Sequence, residues 1–138
     1  MIQYVRSLLA LCCVLLAIPA SAGSLVIPDI AGQTKDTLAE QLGQPDGCEA
    51  AKQGEKCWWG FDLEIVFING KADWLTVSGL DSLPYSSAAL SGLGLSTRAP
   101  DQIGDDWQRW HGLDGLRELT LYKSGNNVWY AYVKTTTP

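Results

Sequence analysis

The single histidine and the carboxylates are the residues of this sequence best suited to catalysis or metal binding. His111 lies close in sequence to Asp105, Asp106 and Asp114, which raises the idea of an acid–base pair or a metal site. A metal site requires several converging ligands, however, and one imidazole beside acidic loop residues provides too few. An edge-strand or turn position is the more ordinary role for this histidine.

Other catalytic patterns are missing from the sequence. No serine stands in a G-x-S-x-G motif, and neither a P-loop nor a G-x-G-x-x-G motif occurs. The 15 acidic residues are scattered, so pairs among them do not indicate a glycosidase. We therefore expect a protein that is not an enzyme and uses no cofactor or metal. An enzyme of unknown type is the alternative.

The N-terminus predicts export. Arg6 is followed by the apolar run Leu8–Ile18 and then by Pro19–Ala22, whose small residues fit an A-x-A cleavage site. The run is shorter than the about 20 residues that a transmembrane helix needs. Cys12 and Cys13 lie in its middle, after a leucine, which argues against lipid attachment. We expect a signal peptide at residues 1–22, cleaved near Ala22, and a mature protein that is periplasmic or secreted.

The mature chain would be a small acidic domain. It would have 116 residues, with nine basic and 15 acidic side chains and a net charge of −6, because Arg6 is removed. This length fits one compact domain. No later apolar run approaches membrane-spanning length, and the acidic chain has no basic stripe that could follow a phosphate backbone. We expect no nucleic-acid partner and no transmembrane segment in the mature chain.

Two cysteines remain after cleavage, Cys48 and Cys57. In an oxidising compartment, an even number of cysteines indicates a disulfide bond. Two free thiols or half of a metal site are the alternatives, but the sequence has no second cysteine pair or histidine cluster that would complete a zinc site. We expect a Cys48–Cys57 disulfide.

Helix and strand signals alternate along the first half of the mature chain. Thr34 is placed to cap a helix that ends at Gly43. Residues 46–56 are polar and predict a loop, and Cys57–Phe61 predicts a short aromatic strand. Asn69-Gly70 then predicts a hairpin over residues 62–77, because both residues tolerate positive φ.

The second half repeats this order. Its predicted elements are a short helix within Pro84–Leu93, a strand at Asp106–His111, and a hairpin of Leu116–Tyr122 with Val128–Val133. Alignment of the halves matches Glu64 with Glu118 and Trp74 with Trp129. We expect an α+β fold of two tandem α-β-β-β repeats, residues 23–80 and 81–138, forming one antiparallel sheet with helices on one face. Chance similarity of short amphipathic strands is the alternative.

The tryptophans are the unusual feature of the composition. All six lie in predicted strands, where a core does not easily account for all of them. Leu75 and Val77 form a plausible core pair, which puts Trp74 on the other face of the sheet, and Trp129 follows by repeat symmetry. We predict an open, partner-binding face formed by Trp74, Trp129, Tyr122, Glu64 and Glu118, with Trp59 and Trp110 as further members. Inward burial of both Trp74 and Trp129 is the alternative.

A short motif gives the sequence a family resemblance. Gly32–Asp36, then Leu38, then Leu42–Pro45, resembles the opening of the BamE-like (SmpA/OmlA) domain. The layout of two α-then-β halves with a cysteine pair is similar to that of the β-lactamase inhibitory protein (BLIP). This resemblance implies a non-enzymatic envelope protein that binds another protein through its sheet. BamE-type proteins are lipoproteins, which this sequence does not match, and the repeats here are shorter than those of the inhibitor.

These inferences predict an exported protein-binding module. Its partner would be another envelope or secreted protein, which it would inhibit or, as an immunity protein, neutralise. An accessory subunit of an envelope assembly complex is the alternative within the same class.

Overall fold

The computed structural model describes residues 25–138, so the predicted signal peptide lies outside the described residues. The elements in chain order are α1 (Ile27–Ile30), α2 (Lys35–Leu42), β1 (Gly47–Ala51), β2 (Gly54–Trp59), β3 (Leu63–Ile68), β4 (Lys71–Val77), α3 (Ala89–Gly92), β5 (Gln102–Ile103), β6 (Trp107–His111), a 3-10 turn (Leu113–Gly115), β7 (Glu118–Ser124) and β8 (Asn127–Lys134). None of the helices in this part of the chain has the length and apolar character needed to cross a membrane.

All eight of these strands form one antiparallel sheet. Its strand order is β1-β2-β3-β4-β8-β7-β6-β5, so the pairing of β4 with β8 joins the two halves of the chain at the centre. The expected antiparallel sheet with a few short helices is therefore confirmed as a mixed α+β fold.

The local signals for the first helix and the first hairpin are also confirmed. The Thr34 side chain accepts a hydrogen bond from the Thr37 amide at 3.2 Å, which caps α2. Asn69 and Gly70 both adopt positive φ, at 53° and 77°, and turn β3 into β4.

Two strands were missed, so each half has four strands after its helix rather than three. Residues 46–56, expected to be loop, contain β1 and the start of β2. β1 is an edge strand with mostly exposed side chains, so it lacks the alternation of apolar and polar residues that identifies a half-buried strand. β5 has only two residues, both exposed, and is too short to produce a sequence pattern.

The sheet has two faces, which the pairing register defines. The inner face carries the fully buried Ile65, Leu75 and Leu119, which belong to one hydrophobic cluster together with Ile27 of α1 and Leu90 of α3. The alternate side chains of the same strands form the outer face.

Candidate functional site

The outer face is crossed by a continuous row of side chains from neighbouring strands. Strand pairing places its members opposite one another in the order Trp58, Glu64, Thr76, Tyr132, Thr120 and Arg109. A second row runs parallel to it, in the order Lys56, Val66, Trp74, Lys134, Glu118 and His111. A shorter third row contains Tyr130, Tyr122 and Trp107. Directly opposite residues on one face of an antiparallel sheet touch, so these rows form one surface.

Aromatic side chains dominate this surface. The outer face carries six of them, all half-buried: Trp58, Trp74, Trp107, Tyr122, Tyr130 and Tyr132. They lie outside the cluster of buried residues that forms the core. Their partial burial therefore comes from packing against one another and against neighbouring polar side chains.

The tightest aromatic group lies on β7 and β8. The rings of Tyr122 and Tyr130 stack with their centroids 4.4 Å apart. Trp129, which is 62% exposed, meets Tyr130 edge-on at 5.1 Å. Stacked and edge-on pairs are favourable geometries for aromatic rings, so these three side chains are held in place before any partner binds.

Two glycines allow tryptophan rings to lie flat on the sheet. A methyl group on Gly47 would collide with the indole ring of Trp58, and one on Gly104 would collide with that of Trp107. Trp58 lies on β2 and Trp107 on β6, each the second strand from its own edge of the sheet. Both margins of the outer face are thus covered by an indole ring that rests on a glycine.

A polar network anchors the half of the face formed by β6 and β7. The Arg109 guanidinium lies 4.5 Å from the centre of the Trp107 ring, and its Nε donates to Thr120 Oγ1 at 3.0 Å. The same Nε is 3.4 Å from a carboxylate oxygen of Glu118, and both charged side chains are mostly buried. Arg109 is therefore held between a ring face and two acceptors.

Electrostatics on this face shift the pKa values of several groups. Burial, with a smaller contribution from the charge of Glu118, raises the pKa of Tyr132 above its ordinary value of 10.0. A hydrogen bond from Lys56 to Glu49, together with the charge of Glu64, raises the pKa of Lys56. At neutral pH the tyrosine is therefore an uncharged hydrogen-bonding group, and the lysine is charged.

Trp59 and Trp110 lie on the inner face instead of the outer one. Register pairs Trp59 with Leu63 and Trp110 with Leu119, both of which are buried. Trp110 is fully buried and donates its indole N–H to the carbonyl of Arg98 at 2.9 Å. Trp59 is partly buried against the core, and its N–H is bonded to a backbone carbonyl as well. Both are structural side chains, and neither is on the surface with Trp74.

Trp58 and Trp107 occupy the outer positions that were assigned to Trp59 and Trp110. The sequence shows two adjacent tryptophans at positions 58 and 59, which must point to opposite faces of a strand. Which one faces outward depends on the pairing with β3, where Trp58 lies opposite Glu64. The outward side chain of Glu64 was the signal that could have assigned Trp58.

A β-bulge in each hairpin changes which residues of the two hairpins have equivalent positions. In the first hairpin the register skips Asp73, and in the second it skips Trp129 at the equivalent distance from the turn. Counted from the turn of its own hairpin, Trp74 therefore has the position of Tyr130 and not of Trp129, and Glu64 has that of Thr120 and not of Glu118. Strict alternation would turn Trp129 inward if Tyr130 and Tyr132 face outward. The bulge interrupts the alternation at Trp129, so this side chain can be exposed as well.

The cysteines and the histidine do not form a reactive cluster. Cys48 and Cys57 lie directly opposite each other on β1 and β2 and form the expected disulfide. With Glu55 they make up the only group of three potential metal ligands between residues 25 and 138, and the disulfide occupies both sulfur atoms. His111 ends β6, whereas Asp106 precedes its start, so about 17 Å of extended strand separates them.

The carboxylate of Asp114 is hydrogen-bonded to Ser96 and not to His111. Its two carboxylate oxygens accept hydrogen bonds from the backbone N–H and the hydroxyl of Ser96, both at 2.7 Å. These two bonds lower the pKa of Asp114. The backbone N–H of His111 donates to Asp101 at 2.7 Å, a contact that fixes the loop before β5. The carboxylates of Asp114 and Asp101 therefore serve loop structure.

Comparisons with known proteins found no relative of this chain. No protein-family model matches the chain, and neither a curated protein nor a solved structure matches it with significance. The functional argument consequently depends on the outer face itself.

Proposed function

We propose that this protein is a non-enzymatic binding module whose outer face docks on another protein. The observation that carries the proposal is the set of six aromatic side chains on the sheet face opposite the core. Tryptophan, tyrosine and arginine are the residues most enriched at the centres of protein interfaces. This face combines all three around Thr76 and Tyr132, which are paired at the middle of the sheet.

The charge pattern of the face fits a protein partner better than a single small ligand. The first row contains one acid and one base, Glu64 and Arg109, and the second contains Lys56, Lys134 and Glu118. Mixed charges around an aromatic centre give a partner several separate hydrogen-bonding positions. They also set its orientation, because like-charge contacts in a wrong register cost free energy.

The two halves of the fold are, in this proposal, copies of one α-then-β unit, with the helices covering the inner face. Equivalent bulges at Asp73 and Trp129, and equivalent glycine–tryptophan contacts at Gly47 and Gly104, support a duplication. Such a duplication would produce one wide face from two narrow ones. The layout resemblance to the β-lactamase inhibitory protein suggests inhibition or immunity as the purpose of docking.

We further propose that the protein acts after export, in the periplasm or outside the cell. Terminal sequencing of the protein purified from its source tests this directly. The proposal expects a chain that begins at Gly23, and a chain that retains residues 1–22 would contradict it.

The binding proposal is tested by placing a long charged side chain at the centre of the face. Thr76→Arg leaves every aromatic residue in place but obstructs a partner, whereas Thr97→Arg adds the same side chain in an exposed loop. Each tagged variant is incubated with an envelope extract, and the captured proteins are identified. Wild type and Thr97→Arg should capture the same protein, which Thr76→Arg should not.

The nature of the captured protein separates the alternatives. A single soluble enzyme whose activity falls on binding indicates an inhibitor, and a membrane complex indicates an assembly subunit. Equal capture by all three proteins would show that the outer face is not the binding surface.

A further inference from the structure

Three of the four large exposed hydrophobic side chains between residues 25 and 138 lie at one end of the sheet, and the fourth is Leu42 of α2. Phe61, in the turn between β2 and β3, is fully exposed, and Ile103 and Trp129 are 70% and 62% exposed. Strand directions place all three at the same end. β3, which follows Phe61, begins there, β8, which contains Trp129, begins there beside the end of β7, and β5 finishes there with Ile103. Exposed apolar residues scattered singly are ordinary on a protein surface, but these three share one end of the sheet. We call this region the Phe61 end.

The spacing of these residues matches the size of a protein interface. Phe61 and Ile103 are separated by five strand-to-strand steps, from β3 to β5, or about 24 Å at about 4.8 Å per step. Trp129 lies between them on β8. Ile103 lies opposite Gln108, which is paired with the buried Leu121, so Ile103 is on the inner-face side of this end. A typical interface covers about 800 Å² on each partner, which corresponds to a patch roughly 30 Å across.

The charge at the Phe61 end is strongly negative. Five exposed aspartates lie in its turns and loops: Asp46, Asp62, Asp81, Asp105 and Asp106. None of them forms an ion pair within residues 25–138. Lys123 is the one basic residue of β7 near this end. The opposite end of the sheet carries four of the nine basic side chains between residues 25 and 138, namely Lys52, Lys71, Arg117 and Lys134.

We propose that the Phe61 end, which adjoins the outer face at Trp129, is part of the binding surface and that the partner meets it with a basic surface. The surface would present arginine or lysine side chains around an apolar centre, because arginine binds carboxylates in pairs and stacks on exposed aromatic rings. Trp129 makes the connection, since its ring contacts Tyr130 of the outer face. This inference rests on the proposed binding function and specifies the chemistry of the partner.

A lipid surface and a second copy fit this end less well. Bacterial membrane surfaces are negatively charged and would repel five unpaired carboxylates. A second copy related by a two-fold axis would bring two acidic ends together, and the repulsion between them would grow at low salt. A basic protein is the occupant that the charge distribution favours.

Site-specific photo-crosslinking tests the inference. The photoreactive amino acid p-benzoylphenylalanine replaces Phe61 in one variant, Tyr132 of the outer face in a second and Gln53, at the opposite end, in a third. Each purified protein is irradiated in envelope extract from its source. We expect the same basic protein to be crosslinked from positions 61 and 132, and no product from position 53.

Charge dependence provides the second measurement. The yield at position 61 should fall at least fivefold between 50 and 300 mM NaCl, because salt screens exposed charges. Neutralising Asp62, Asp105 and Asp106 to asparagine should lower the yield at 50 mM NaCl by a similar factor. The matched control neutralises three exposed acids of the helical segments, Asp29, Asp36 and Glu40, and should leave the yield unchanged.

The possible failures are distinguishable. Crosslinking from position 132 but not from 61 overturns this inference and leaves the binding proposal standing, whereas no product from either position overturns both. A salt-independent product, a dimer of this chain, or co-sedimentation with phosphatidylethanolamine–phosphatidylglycerol vesicles would show that the Phe61 end does not bind a basic protein.

Discussion

Removing one tryptophan from each face of β6 tests the assignment of the two faces. Trp110 is fully buried on the inner face, and Trp107 is half-buried on the outer face of the same strand. Replacing a buried tryptophan with alanine typically costs about 3–5 kcal/mol, because burial is lost and a cavity is left. Trp110→Ala should cost about 4 kcal/mol, since it also removes the hydrogen bond to the Arg98 carbonyl.

Trp107→Ala should cost less. Its ring rests on Gly104 and against the Arg109 guanidinium, and part of it already contacts water. The loss of this partial burial and of one cation–π contact amounts to about 2–2.5 kcal/mol. The two variants should therefore differ in free energy of unfolding by about 1.5–2 kcal/mol.

Urea unfolding followed by far-ultraviolet circular dichroism measures this difference. The midpoint of unfolding should shift by roughly twice as much for Trp110→Ala as for Trp107→Ala, at nearly constant slope. If Trp110→Ala does not fold, Trp110→Phe should still lose about 2 kcal/mol through the smaller ring and the missing N–H donor. Equal losses at positions 107 and 110, or a larger loss at 107, would refute the face assignment.

Three further predictions concern the disulfide, the chain end and the tyrosines. Reduction of Cys48–Cys57 should lower the free energy of unfolding by about 2.7 kcal/mol, the chain-entropy value for a loop of about 10 residues; unchanged urea midpoints with and without reductant would contradict this. The carboxylate of the buried Asp73 accepts hydrogen bonds from the backbone N–H groups of Thr136 and Thr137, at 2.9 and 3.1 Å. Asp73→Ala should therefore lower the free energy of unfolding by about 2 kcal/mol and speed amide hydrogen exchange at the C-terminus. Unaltered exchange there would argue against these two hydrogen bonds. The raised pKa of Tyr132 means that the folded state favours its neutral phenol, so this contribution to stability is complete below pH 10.0 and is lost as the pH rises through the folded-state pKa. Absorbance at 295 nm should show Tyr132 ionising above the ordinary tyrosine range, by comparison with Tyr132→Phe, and a normal titration would disagree with the burial of this side chain.

The sequence predicts the centre of the sheet better than its margins. The alternation of Glu64 and Ile65 and the Asn69-Gly70 turn identify β3 and β4, because these strands have one buried face and a turn with strict backbone demands. β1 and β5 have no buried face, so their hydrogen bonding to a neighbour leaves no periodic pattern in the sequence.

The candidate site could be predicted only in part. The outward positions of Glu64, Trp74 and Tyr122 follow from alternation within each strand. Alternation fails at Trp129, because a bulge shifts the phase of β8, and a bulge is set by the paired strand rather than by local sequence.

The adjacent tryptophans Trp58 and Trp59 show a second limit. Alternation separates them onto opposite faces but does not say which is inward. That depends on register against β3 and on a hydrogen-bond acceptor for the inward indole, here the Gly43 carbonyl for Trp59. Both features become available only when distant segments meet.

The affinity of the captured partner for Thr76→Arg, relative to Thr97→Arg and wild type, tests the central claim most directly. Isothermal titration calorimetry with the purified partner gives the three dissociation constants. A charge forced into the centre of an interface typically costs at least about 2 kcal/mol, or roughly thirtyfold in Kd. The outer-face account predicts this loss for Thr76→Arg alone, and an unchanged Kd for Thr76→Arg would contradict it.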